Sequence, residues 1–198
     1  RVMIAIIDYD TGNLRSVCNA LERIGAEYVL TDDPAVISQA DRVLLPGVGE
    51  ASTAMRKLQE RGLCEVIRGL KMPVLGICIG MQLMCRHSEE GDVDCLGIFD
   101  TSVTKFVADP QNGVKVPHMG WNAIDGLKTG LFEGLSDGDF VYFVHSYAAS
   151  VCDDTIAVSD NGRKFSAAIC KDNFYGVQFH PEKSGDVGEK ILKNFMRL

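Results

Sequence analysis

The sequence predicts an α/β fold, a single domain built on a mixed, mostly parallel sheet with helices on both faces. Three observations carry that expectation. The chain opens on an apolar run, residues 2–8 (VMIAIID), too unbroken for a strand with one wet face and suited to a strand buried on both. Strand-like and helix-like periods then alternate through the first half, the pattern of a doubly wound sheet. Finally, 198 residues, 46% hydrophobic and 24% charged, suffice for one well-packed core and are too few for two large ones without a visible linker.

Residues 14–24 place Leu14, Val17, Cys18, Leu21 and Ile24 at helical spacing, and Gly25 ends the pattern. Residues 28–30 read as a strand, 34–40 as a short helix, 42–45 as a strand and 53–61 as a helix. A strand over 74–77 and a helix after Gly80 repeat the unit. Strand-like segments dominate the second half, at 103–107, 140–144, 156–158, 167–170 and 175–179, before a closing helix over 187–196. They are expected as antiparallel additions to the same domain, residues 1–198.

A net charge of −7 without a long run of either sign describes a solvated surface and argues against nucleic acid, whose phosphates need clustered Lys and Arg. The longest apolar stretches, residues 2–7 and 74–81, are far short of a bilayer span, so no membrane segment or signal peptide is expected. Seven cysteines, an odd count with no CxxC pair, argue for a reduced, cytoplasmic protein and against a zinc site. No cofactor is expected.

Residues 73–83 (PVLGICIGMQL) combine what nucleophilic catalysis needs: a buried strand delivering Cys78, glycines at 76 and 80 that allow a sharp turn and close approach, and a helix starting at once. At a helix N-terminus the dipole and free amides favour a reactive sulfur. The segment alone leaves a second reading open, a buried small hydrophobe of the kind expected at Cys18, Cys64, Cys85, Cys95, Cys152 and Cys170. The run His180-Pro181-Glu182, after the strand over 175–179, tips the balance. In an extended chain residues two apart share a side, so His180 and Glu182 can act as a base and the carboxylate that orients it. Pro46-Gly47-Val48-Gly49, after the strand over 42–45, matches a dinucleotide fingerprint only in part, because Ser52 stands where the third glycine belongs. Such a loop can instead offer a backbone N–H to an oxyanion, with the N–H of Ile79 as second donor.

Taken together, these residues resemble the class I glutamine amidotransferases, which use a Cys, His, Glu triad; here its members are Cys78, His180 and Glu182, and 46–49 matches the family's oxyanion segment. Within the family, residues 12–17 (GNLRSV), 117–122 (PHMGWN), 142–147 (YFVHSY) and 180–184 (HPEKS) resemble the branch serving histidine biosynthesis. The resemblance implies a flavodoxin-like fold and a glutaminase that hydrolyses glutamine to glutamate and ammonia. It also implies a heterodimer with a (β/α)8-barrel cyclase, which uses the ammonia to form imidazole glycerol phosphate and an aminoimidazole carboxamide ribotide.

By the same resemblance, the Val48 peptide turns to complete the oxyanion hole. Gly49, Gln82 and the Ser146–Tyr147 backbone hold the substrate, and Asn13, Trp121, Tyr142 and Lys183 face the partner. Trp121 is the only tryptophan and lies in what reads as a glycine-containing loop, where interface aromatics often act as anchors; a core tryptophan is the alternative. His87, His118 and His145 are left out of the triad. The rivals are the glutaminase subunit of another amidotransferase, a cysteine peptidase of the same fold, and a catalytically silent flavodoxin-like binding module.

Overall fold

Alternation of buried strands with amphipathic helices governs the first half of the chain. A computed structural model describes residues 1–12 and 14–198. Strand β1 (Met3–Ile7) buries Ile4 through Ile7 completely, as its unbroken apolar run requires. Helix α1 (Arg15–Arg23) turns Val17, Cys18, Ala20 and Leu21 inward, and the left-handed Gly25 ends it. Strand β2 (Glu27–Thr31) leads to α2 (Pro34–Gln39), where the Asp33 side chain accepts from the Ala35 N–H at 2.9 Å and Pro34 opens the first turn. Strand β3 (Arg42–Leu45) and helix α3 (Ala51–Glu60) follow. Capping by the Glu50 carboxylate explains why α3 starts two residues before the expected 53. A short helix α4 (Cys64–Arg68), which the sequence reading passed over, buries Ile67 and leads into β4 (Val74–Ile77) and α5 (Ile79–Leu83).

The second half supplies β5 (Cys85–Ser88), β6 (Val93–Asp94), β7 (Phe99–Lys105), β8 (His118–Ala123), β9 (Phe140–His145), β10 (Tyr147–Ala149), β11 (Thr155–Asp160), β12 (Lys164–Lys171) and β13 (Phe174–Val177), then helix α6 (Gly185–Phe195). The main sheet has seven strands in the order β11-β12-β13-β4-β3-β1-β2. Two further sheets, β10-β7-β5-β6 and β8-β9, sit apart from it.

This arrangement corrects the expectation of antiparallel additions. Only β11 and β12 add that way; β13 runs parallel to β4, with Val74 opposite Phe174 and Ile77 opposite Val177, while β7 and β9 belong to the separate sheets. The apolar runs that announced strands carry no information on which neighbour each will find. Residues 117–122 are corrected too: Trp121 lies in β8, paired with Tyr142 of β9, not in a loop. No helix among the described residues is long and apolar enough to cross a membrane.

Candidate active site

Parallel pairing of β4 with β13 creates the site, because it sets the residues that follow the two strands side by side. The ladder runs one step beyond β4: the Cys78 N–H donates to the Val177 carbonyl at 2.9 Å. The chain then breaks into α5 through Cys78 itself, at φ 54° and ψ −111°, a strained conformation for a residue with a side chain. That corrects the role expected of the neighbouring glycines. Neither makes the turn; each is small because something presses on it. A Cβ on Gly80 would run into the Leu45 carbonyl, and one on Gly76 would sit 2.6 Å from Met84 Cε and 2.8 Å from the Gly80 backbone. The elbow is therefore wedged between the ends of β3 and β13, which holds the strained Cys78 in place.

His180 and Glu182 come together by a route that differs from the extended chain expected of residues 180–182. Strand β13 ends at Val177, and Pro181–Lys183 form a 3-10 turn, so the two side chains meet by folding over rather than by sharing one side of an extended chain. His180 Nδ1 lies 2.9 Å from Glu182 Oε1 and 3.3 Å from Oε2, and both side chains are buried. Strand β9 fixes the turn: the His180 N–H donates to the Tyr142 carbonyl at 2.9 Å, the Tyr142 N–H to Ser184 Oγ at 2.9 Å, and Ser184 Oγ to the His180 carbonyl at 2.6 Å. Burial works against a charged His180, but its hydrogen bonds with Cys78 and Glu182 outweigh that and push its pKa up to about 10. With Nδ1 committed to the carboxylate, Nε2 is left for the sulfur.

The cleft over this group has a volume of about 330 Å³. Val48, Gly49, Cys78, Ile79, Gln82, Ser146, Tyr147, His180 and Lys183 line it together with Glu90, Pro117, Val144 and His145. Glu182 stands behind His180. Ile79 opens α5, so its N–H points out of the helix end beside the sulfur. On the opposite wall the Pro46–Gly49 loop is held from below, where the buried Tyr9 hydroxyl donates to the Pro46 carbonyl at 2.6 Å. Trp121 and Tyr142 lie outside the cleft on the outer face of the β8-β9 ribbon, rings 6.1 Å apart, with Trp121 54% exposed; a core tryptophan is ruled out. Asn13 lies outside the described residues.

Two residues that touch this chemistry escaped the sequence reading. The Glu90 carboxylate, pushed up by burial and by nearby Glu50, accepts from the Ala51 N–H at 2.7 Å and is the acidic group of the cleft wall. In sequence it is one of many acids and belongs to no motif. Gln178, fully buried, donates from Nε2 to Cys78 Sγ at 3.6 Å and accepts from Gln82 Nε2 at 2.9 Å. As an isolated polar residue within the segment 175–179 read as a strand, it carried no motif to betray it. No group of three or more His, Cys, Asp or Glu residues among the described residues is placed to hold a metal ion.

A cysteine on a strand-to-helix elbow, an imidazole backed by a carboxylate and two candidate oxyanion donors on one cleft fit the apparatus of acyl transfer through a covalent intermediate. Comparison with known proteins fixes the family: the class-I glutamine amidotransferase model matches residues 5–198. The chain belongs to that family. Among related amidotransferases, the imidazole glycerol phosphate synthase subunit HisH of Bacteroides fragilis is 58% identical over 195 residues, covering 98% of this chain and 99% of that one. The protein of the same name from Pectobacterium atrosepticum is 48% identical over 198 residues, with 98% and 99% covered. In fold, the chain matches the solved PurLQS structure of Thermotoga maritima at a TM-score of 0.72 and 19% identity, covering 100% of this chain and 98% of that one.

Proposed function

We propose that this amidotransferase is the glutaminase subunit of an imidazole glycerol phosphate synthase, with Cys78, His180 and Glu182 as its catalytic triad. The observation that carries the reading is the strained Cys78 elbow facing a buried His180–Glu182 pair in the cleft that Gln82 lines. The Cys78 thiolate attacks the side-chain amide carbon of glutamine, and the resulting oxyanion is met by backbone N–H groups of Val48 and Ile79. Protonated His180 gives its proton to the leaving nitrogen, ammonia departs, and a glutamyl thioester remains. Water, deprotonated by His180, then attacks the thioester; glutamate leaves and the proton returns to the Cys78–His180 pair. Glu182 holds the ring and stabilises its charged form. The Gly49, Ser146 and Tyr147 backbone positions the substrate with Gln82, and Glu90 faces the substrate's α-ammonium as the acidic group of the cleft.

Ammonia must then be consumed elsewhere, and the relatives are themselves named as synthase subunits. The partner in this reading is a (β/α)8-barrel cyclase in a cytoplasmic heterodimer. Trp121 and Tyr142, joined by exposed Met119 and Phe140, give the β8-β9 ribbon an apolar outer face, and Lys183 continues that rim into the cleft. A glutamine-like chloroketone tests the site directly. Stoichiometric labelling confined to Cys78 among the seven cysteines, blocked by excess glutamine, is the expected result; an unlabelled Cys78 would leave a silent binding module as the better reading.

A further inference from the structure

Tyr147 O can only accept hydrogen bonds, and it fixes the direction of every bond that follows. It accepts from His145 Nδ1 at 2.9 Å and from Gln82 Nε2 at 2.9 Å. The other N–H of the Gln82 carboxamide goes to Gln178 Oε1 at 2.9 Å. With its oxygen turned to Gln82, Gln178 must turn its NH2 to the Cys78 sulfur, 3.6 Å away. Reversing either carboxamide would bring two oxygens or two NH2 groups face to face, in a place where both side chains are almost wholly buried and water cannot make good the loss.

We infer that this one-way amide relay, from the Tyr147 carbonyl through Gln82 and Gln178, holds an N–H on the Cys78 sulfur and so favours the thiolate, making Gln178 a catalytic residue and Gln82 its positioning residue. The inference rests on the reading of Cys78 as the nucleophile. A thiolate is an acceptor only, so a donor that cannot turn away stabilises it over the thiol. Gln82 thereby has a task beyond lining the substrate cleft, and its contact with Gln178 bridges 96 positions of sequence.

The test uses the full chain without glutamine and follows alkylation of Cys78 by iodoacetamide, resolved by peptide mass, as a function of pH. The titratable groups around the sulfur are His180 with Glu182 behind it and Tyr9 beneath, with Glu90, Lys183 and His145, whose pKa burial lowers to about 3, on the cleft walls; all are unchanged in the variants. In Gln178→Met the rate near neutral pH should fall about tenfold, the rise of rate with pH should move upward, and the rates should converge with wild type at high pH. Gln82→Met, which never touches the sulfur, should displace the profile in the same direction. A residue with only a packing role would change the melting temperature and leave the profile where it was. Gln178→Asn, which keeps a carboxamide in the slot but withdraws it from the sulfur, serves if the methionine variant does not fold, and the same displacement is expected of it. An unchanged profile in a folded Gln178 variant, or in folded Gln82→Met, overturns the relay. Because Cys78→Ala is scored separately for glutaminase, the relay can fail while the proposed function stands.

Discussion

In the proposed triad Glu182 acts only through the His180 ring, whose Nδ1 it holds at 2.9 Å. Burial alone would lower the pKa of His180, yet the hydrogen bonds it makes to Cys78 and Glu182 lift it from 6.5 to about 10. A raised histidine contributes stability that is fully present below its unfolded value of 6.5 and is lost as the pH climbs through about 10. Glu182→Gln keeps a hydrogen-bonding partner and removes the charge, so the imidazolium should lose its proton at lower pH. The expected outcome is a glutaminase rate reduced by on the order of a hundredfold, with the alkaline limb of its pH profile moved down; a profile superimposable on wild type would reduce Glu182 to a structural acid. Cys78, His180 and Glu182 were legible in the sequence because each sits in a short motif with a chemical rationale. Gln178 and Glu90 were not, because what matters about them is contact across the fold: Gln178 meets Cys78 at a separation of 100 residues.

Elements differ in how plainly they announce themselves. The βα units up to α3 were readable because β1 and β3 bury both faces and α1 and α3 each show one apolar stripe, so neither period is ambiguous. The β8-β9 ribbon was half hidden. Residues 140–144 were recognised as a strand, but His118, Gly120 and Asn122 gave residues 117–122 the look of a loop. Pairing with β9 made it a strand all the same, with Trp121 opposite Tyr142. That pairing is what leaves the two aromatic rings together on the exposed side, and it motivates a prediction about the ribbon. Trp121→Ala should weaken binding of the cyclase subunit by about 2 kcal/mol and lower ligand-stimulated glutaminase in the complex, while the free subunit keeps its melting temperature. Lys183→Ala should act in the same direction. Calorimetric titration with the cyclase reads the first effect, and affinity equal to wild type for Trp121→Ala would remove the ribbon from the interface.

Across the whole molecule, the decisive event is the insertion of β13 between β4 and β12, because it lays the end of a C-terminal strand against the cysteine elbow in the middle of the chain. Strand order of this kind was not legible: a buried parallel strand and an edge strand can carry the same apolar residues, and only the packed sheet decides which neighbour is chosen. The consequence is that the proposed nucleophile, base and substrate-facing amides come from elements far apart in sequence, all anchored in one core. A partner can reach the glycine loop above them through Val48, which is 46% exposed, and Lys183 is a second exposed side chain of the same cleft. In the proposed reading, rotation of the Val48 peptide is the switch by which a ligand-bearing partner turns glutaminase on. The most direct measurement is ammonia release from glutamine, for wild type and Cys78→Ala, each alone and with the cyclase subunit carrying its ligand. Wild type should be nearly inactive alone and strongly stimulated in the complex, whereas Cys78→Ala should fold, bind the cyclase, support synthesis from added ammonia and release none from glutamine. Glutaminase activity persisting in Cys78→Ala would contradict the account.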